Sequence, residues 1–486
     1  MKEILIGGQY GEQLIMDAAM GNRHGMISGA TGTGKTVTLQ ILAEGFSRLG
    51  VPVFMADIKG DLSGITAPGQ SHEKITERVA KINIRNFQAR AYPAVFWDIF
   101  GRSGHPVRTT ISDMGPLLLS NLLELNDTQC GIIYSCFKIA DEQGLLLLDL
   151  KDLRSMLNWM GENARELSRE YGNISSASLG AIQRRLLILE QQGAEHFFGE
   201  PAIQLADLCK TDFSGNGVIS LLDATDLCSK SPRLYATFLL WLLSELFENF
   251  PECGDAEQPR LVLFFDEAHL LFEQAPKVLI DKIEQIVRLI RSKGVGVYFI
   301  SQSPLDIPEN ILGQLGLKIQ HALRAFTPKD RKVIKNIAET FRSNPAFDAE
   351  TVLPQLKTGE ALVSVLNPDG TPGTVQKILI RPPESQIGPI DQQQRQTFLS
   401  RSPFQGRYEQ PIDRESAYEL LKQRAEAQQY KAESQEQKSL KAPRHRSSRQ
   451  RQTVAEAMIK SAARSIGSQI GRQLVRGIMG SLLGKR

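Results

Sequence analysis

Nine consecutive residues, Ser28-Gly29-Ala30-Thr31-Gly32-Thr33-Gly34-Lys35-Thr36, carry the most legible chemistry in this chain. They fit the phosphate-binding pattern G-x-x-x-x-G-K-[ST] at every fixed position. Gly29, Gly32 and Gly34 let the backbone turn with its N–H groups inward, where they can cradle phosphate oxygens. The helix that follows adds its positive end to the same anion. Lys35 is placed to reach the β- and γ-phosphates, and the Thr36 hydroxyl to hold Mg²⁺. The expected nucleotide cup is therefore Gly29, Ala30, Thr31, Gly32, Thr33, Gly34, Lys35, Thr36 and Val37, with ATP and Mg²⁺ as its ligands.

A second group lies far along the chain. Arg260-Leu261-Val262-Leu263-Phe264-Phe265 reads as a buried strand that ends in Asp266-Glu267. Ligands bind at the C-terminal ends of strands in open α/β sheets. Asp266 would orient the metal shell, and Glu267 would polarise the attacking water. Val295 to Ser301 is another strand and ends in Gln302, a polar side chain suited to sensing the γ-phosphate. Asp57-Ile58-Lys59-Gly60 spells D-x-x-G, the second signature of GTPases, but no N-K-x-D motif follows to read guanine. Asp57 is either a solvated strand end or a group at the phosphates. Asp266-Glu267-Ala268-His269 matches a helicase box, yet the arginine-rich motif of that superfamily's second lobe is missing.

These groups need a sheet to bring them together. Ile4 to Ile6 and Gln13 to Met16 read as a hairpin, and Gly25 to Ser28 as the strand entering the loop. Lys35 to Leu49 reads as the helix leaving it. Further strands are expected at Val51 to Asp57, Ala94 to Ile99, Gly217 to Asp223 and Leu317 to Ala325. Apolar residues at helical spacing fill most of 110–250. Lys277 to Lys293 is an amphipathic helix, and Thr327 with Pro328 opens another. Glu360 to Ile380 alternates around Asn367-Pro368-Asp369-Gly370 as a hairpin.

The division expected is a core in two parts (1–109 and 211–390), a helical insert (110–210), a charged Gln-rich linker or helix (391–452) and a basic amphipathic tail helix (453–486). The 486 residues carry a net charge of +3, 41% hydrophobic and 23% charged side chains, an ordinary globular composition. From Lys441 onward there are eleven Lys/Arg and one acid, Glu456, so that stretch is +10. It is suited to an anionic surface, a membrane or a partner. No apolar run reaches the roughly 18 residues of a membrane span. The N-terminus lacks a secretory core, and the five cysteines form no C-x-x-C pair. A cytoplasmic protein with reduced thiols is expected.

The assembled motifs resemble the HerA/FtsK group of P-loop ATPases, and within it the bacterial HerA-like (YjgR-type) helicase-like family. The likeness is carried by Asn22-Arg23-His24-Gly25 ahead of the loop, Asp57-Ile58-Lys59-Gly60-Asp61-Leu62-Ser63-Gly64, Phe265-Asp266-Glu267-Ala268-His269-Leu270-Leu271-Phe272 and Arg288-Leu289-Ile290-Arg291-Ser292-Lys293-Gly294. The resemblance implies an α/β RecA-like core with a parallel sheet in the order 5-1-4-3-2. It further implies a ring, usually hexameric, with nucleotide between subunits and an arginine from the neighbour completing each site. Arg291 and Arg23 are the candidates. DNA is the implied substrate, with a protein partner or membrane contact through 453–486 as the alternative. Only 28 residues precede Gly29, too few for the β-barrel that precedes the loop in HerA itself.

Overall fold

The computed structural model describes residues 2–440 except 255, 274–276 and 325–326. The tail helix expected at 453–486 lies outside the described residues.

Among the described residues twelve strands form one sheet: β1 (Glu3–Gln9), β2 (Glu12–Asp17), β3 (Gly25–Ser28), β4 (Val53–Asp57), β5 (Ala94–Asp98), β6 (His105–Pro106), β7 (Ile219–Asp223), β8 (Leu261–Phe265), β9 (Val295–Ser301), β10 (Leu317–His321), β11 (Glu360–Ser364) and β12 (Gln376–Ile380). Their order is β2-β1-β12-β11-β10-β3-β9-β8-β4-β7-β5-β6. From β10 to β6 every pairing is parallel, and from β10 to β2 every pairing is antiparallel. If the loop strand is 1, β4 is 2, the acid strand 3, the Gln302 strand 4 and β10 is 5, the centre of the sheet reads 5-1-4-3-2.

The pattern of the sequence explains this division. β3, β4, β8 and β9 are buried at every residue, as strands covered on both faces must be. β2 alternates exposed with buried or half-buried residues over its second half, as an edge strand with one wet face does. One face of the sheet packs against helix α1 (Lys35–Arg48) through Ile27, Leu39, Leu42, Phe46, Val53 and Phe264. The hairpin at the N-terminus joins β12, which extends the sheet past β10.

The described residues cluster into two compact units, 1–108 with 201–411 and 109–200 with 412–440. The first holds the whole sheet. The second is helical, with helices Ile111–Leu122, Asp127–Glu142, Leu150–Glu162, Ala164–Tyr171 and Ser176–Gln191. The first of these contains a kink at Gly115, φ +73°, before Pro116. The stretch expected as a linker divides between the units at 411/412. The helix Ala417–Leu440 is anchored where Asp152 accepts hydrogen bonds from Ser416 Oγ and the Tyr418 amide.

Among the element ends that differ from the sequence reading, two lie on strands and helices that border the site. β10, expected to run on past His321, stops there, and the Ala322 carbonyl instead accepts the Ala30 amide of the phosphate loop. The amphipathic helix ends at Ile290, and Arg291–Lys293 form a separate 3-10 turn closed by Gly294 at φ +74°. The charged stretch expected as a linker or helix contains the helices Gln392–Ser400 and Ala417–Leu440 within the described residues.

Candidate nucleotide site

The loop leaves β3 after Ser28 and enters α1 at Lys35. Gly29, Gly32 and Gly34 have φ of +148°, +77° and +117°, values that strain any residue with a Cβ. A Cβ on Gly29 would also lie 2.5 Å from His321 Cβ. Lys35 Nζ curls over the loop and donates to the carbonyls of Gly29 (2.6 Å) and Ala30 (3.2 Å). Thr33 Oγ1 donates to the Ala30 carbonyl, and the Ala30 amide to Ala322. Thr31 and Gly32 form the exposed rim, while Thr36 and Val37 are half-buried in the first turn of α1.

His321 supports this loop from below and was not singled out by its sequence. Its Nε2 lies 2.8 Å from Thr38 Oγ1 and its Nδ1 3.2 Å from the Glu360 carbonyl. Burial, with Lys35 adding its positive charge, lowers the ring's pKa to about 4. Its position at the end of β10 was the available signal, since ligand sites gather at the carboxyl ends of parallel strands.

The acid pair follows β8. Glu267 has φ +46°, in the left-handed region. The Asp266 carbonyl accepts from Tyr235 OH at 2.9 Å, the Asp266 carboxylate accepts from the Glu267 amide, and the Ala268 amide donates to Ile300 of β9. Burial raises the Asp266 carboxyl to about 6, opposed by Lys59 and reinforced by Glu267. Glu267 Oε1 is 3.4 Å from Lys59 Nζ, and Oε2 is 3.4 Å from His269 Nδ1 but has no hydrogen bond. Lys35 is lowered by burial and by Lys59, against the pull of Glu267 and Asp266. The loop lysine and the acid pair thus share one electrostatic environment although they are 231 residues apart in sequence.

β9 runs between the loop strand and the acid strand. Its Ser301 pairs with Ser28, so Gln302 emerges level with Gly29, and it is exposed. Asp57 is not a solvated strand end. It is buried, and its carboxylate accepts the amides of Gly60, Asp61 and Leu62. Burial raises this carboxyl to about 6. Arg23 and Arg291 precede β3 and β9, at the amino ends of strands whose carboxyl ends carry the loop and Gln302 respectively. Both act electrostatically on His24 between them, and Asn22 Nδ2 donates to the Arg291 carbonyl. They are therefore not brought to Lys35 of their own chain.

The model for the helicase HerA-like C-terminal family matches residues 2–486. The chain belongs to this family. The HerA-like chain is 22% identical over 348 residues to the DNA double-strand break repair helicase HerA of Sulfolobus acidocaldarius, covering 70% of itself and 62% of that relative. It is 35% identical over 125 residues to the probable helicase MJECL08 of Methanocaldococcus jannaschii, or 25% of this chain and 22% of that protein. It thus spans less than two thirds of these relatives. Among solved structures, the bacterial conjugative coupling protein TrwBdeltaN70 superposes with a TM-score of 0.52 at 14% identity, covering 78% of this chain and 89% of the other. VirB4 of Thermoanaerobacter pseudethanolicus superposes with 0.50 at 18%, covering 78% and 96%. The HerA-like chain shares with both an α/β fold built on a mostly parallel sheet. Among the described residues no helix is long and apolar enough to cross a membrane.

Proposed function

We propose that this HerA-like chain hydrolyses ATP with Mg²⁺ and works as a ring-forming, DNA-translocating motor in the cytoplasm. One observation carries the reading: at the carboxyl ends of three adjacent parallel strands, Lys35 shares its charge environment with Asp266 and Glu267, and Gln302 leaves β9 level with the loop. The residues suit the ligands. Gly29 and Gly34 keep the cup free of side chains, Glu267 Oε2 is buried without a hydrogen bond, and Thr36 with Asp266 offers the hard oxygen donors that Mg²⁺ prefers. Bound there, Mg²⁺ would neutralise charge on the phosphates. The loop amides and Lys35 bind the phosphates, Glu267 takes the water proton, and Gln302 orients the terminal phosphate. Arg23 and Arg291, at the far end of the sheet from the loop, are suited to act on a neighbouring chain. Either one serves as the arginine in trans.

The Sulfolobus relative is a DNA double-strand break repair helicase, which favours DNA as the track. The +10 charge of the last 46 residues favours a second reading, a motor on a protein partner or at a membrane surface.

The test is ATP turnover with and without double-stranded DNA across a salt series. DNA should stimulate turnover and bind more weakly as salt rises. Turnover indifferent to DNA, with no salt-dependent binding, rejects the DNA motor in favour of the partner reading. Glu267→Gln should retain ATP binding and lose turnover by about 10²-fold or more.

A further inference from the structure

Lys59 belongs to neither the loop nor the acid pair. It stands on the turn after β4, and its Nζ is 3.4 Å from Glu267 Oε1. The contact is built from both sides. β4 and β8 are parallel neighbours, with Met55 opposite Phe264, so the two turns leave the same end of the sheet side by side. The Lys59 turn is tied down by Asp57, whose carboxylate accepts the amides of Gly60 (2.7 Å), Asp61 (3.2 Å) and Leu62 (3.0 Å). Gly60, at φ +72°, makes the reversal. On the other side Tyr235 holds the Asp266 carbonyl, and Glu267 takes its left-handed backbone.

Stability does not account for this arrangement. The Lys59 side chain is 39% exposed and that of Glu267 14%. An ion pair this wet contributes only about 0–1 kcal/mol. Orientation does account for it. A glutamate has three side-chain torsions, and a base must point one oxygen at its proton. Lys59 Nζ pairs with Oε1 at 3.4 Å, while Oε2, with His269 Nδ1 also at 3.4 Å, is buried and makes no hydrogen bond.

We propose that Lys59 is a positioning residue for Glu267: it holds Oε1, so that Oε2 receives the proton of the attacking water. In that step the water proton passes to Oε2, the water oxygen bonds to the terminal phosphorus, and the bridging P–O bond breaks to leave the nucleoside diphosphate. The inference rests on the hydrolysis reading above.

The experiment compares the full chain with Lys59→Met, Lys59→Arg and Glu267→Gln. Lys59→Met should lower kcat by roughly tenfold to a hundredfold, a fraction of what a general base supplies. KM and the affinity for a fluorescent ATP analogue should stay the same, and Lys59→Arg should restore most of the rate. A readout independent of turnover is the rate at which acetic anhydride acetylates Lys59, followed by peptide mass spectrometry without nucleotide. Against the effect of burial, Asp266 and then Glu267 hold the amine protonated; Glu267 alone also contacts it, so Glu267→Gln should speed that labelling severalfold. An active wild-type chain in which Lys59→Met keeps full kcat, or raises KM alone, overturns the assignment. So does labelling that is unchanged in Glu267→Gln. A wild-type chain without turnover rejects the hydrolysis reading, and this inference with it, even where labelling reports the pair.

Discussion

The phenol of Tyr235 donates a 2.9 Å hydrogen bond to the carbonyl oxygen of Asp266. Tyr235 is fully buried on the helix Pro232–Asn249, which opens with Ser231 capping the Leu234 amide. The bond fixes the peptide that joins Asp266 to Glu267, where φ is +46°. A Tyr235→Phe variant leaves that carbonyl without this donor and should lose about 1–2 kcal/mol of stability. Its turnover should fall more than its nucleotide affinity, because the peptide it releases carries the base. Thermal melting and steady-state kinetics on the same preparation check both.

Gly29→Ala should abolish nucleotide binding and leave the fold in place. The new methyl would meet His321 Cβ at 2.5 Å, and φ of +148° suits glycine alone. The loop can relieve this only by moving off His321, which spoils the cup. Equilibrium binding of a fluorescent ATP analogue checks the loss, and circular dichroism checks the fold.

A buried ionic network fastens the segment after β12 to α1. Glu44, fully buried, accepts the amides of Glu384 and Ser385, and Arg381 Nη2 lies 3.6 Å from Glu44 and 2.9 Å from Glu384. Burial raises the Glu44 carboxyl, against the pull of Arg381. Removing one partner of such a pair strands a buried charge, so Arg381→Met should cost about 3–5 kcal/mol. Glu44→Gln in the same background should recover part of it. Denaturant unfolding of the two variants measures the difference.

His24 makes the chain sensitive to acid. Its Nε2 faces the Val287 carbonyl at 2.8 Å and its Nδ1 accepts the Val297 amide at 3.0 Å, so both nitrogens are satisfied only in the neutral ring. Burial, with Arg291 and Arg23 adding, lowers its pKa to about 4. The unfolded chain therefore takes up this proton first as pH falls below 6.5. The stability this group provides is complete above 6.5 and lost toward 4, about 2 kcal/mol of it by pH 5. Asp57 and Asp266, raised to about 6, work in the opposite direction over the same range. His24→Asn, which tolerates the local φ of +60°, should lose less stability than the wild type between pH 7.5 and pH 5. Melting curves at the two pH values give the comparison.

The loop was legible because its requirements are local. Three glycines, a lysine and a threonine within eight positions specify a turn whose torsions, contacts and helix follow from those residues themselves. The acid strand was legible for a similar reason, since an unbroken apolar run ending in two carboxylates describes a buried strand and its tip. Asp57 was harder. Nothing in D-x-x-G says whether the carboxylate points outward or back at the amides of its own turn, and here it turns back. Arg23 and Arg291 could be named by likeness, but their distance from the loop depends on which end of β3 and β9 they precede.

By itself the sequence determined the anion cup, the acidic strand end and the period of nearly every element, because each depends on neighbours in the chain. Only the tertiary structure decided that β9 would separate the loop strand from the acid strand, that His321 would support the cup, and that Lys59 would reach Glu267. Those contacts join residues tens to hundreds of positions apart, and they are fixed by which strands pair and in what register, a choice made by packing the whole sheet at once.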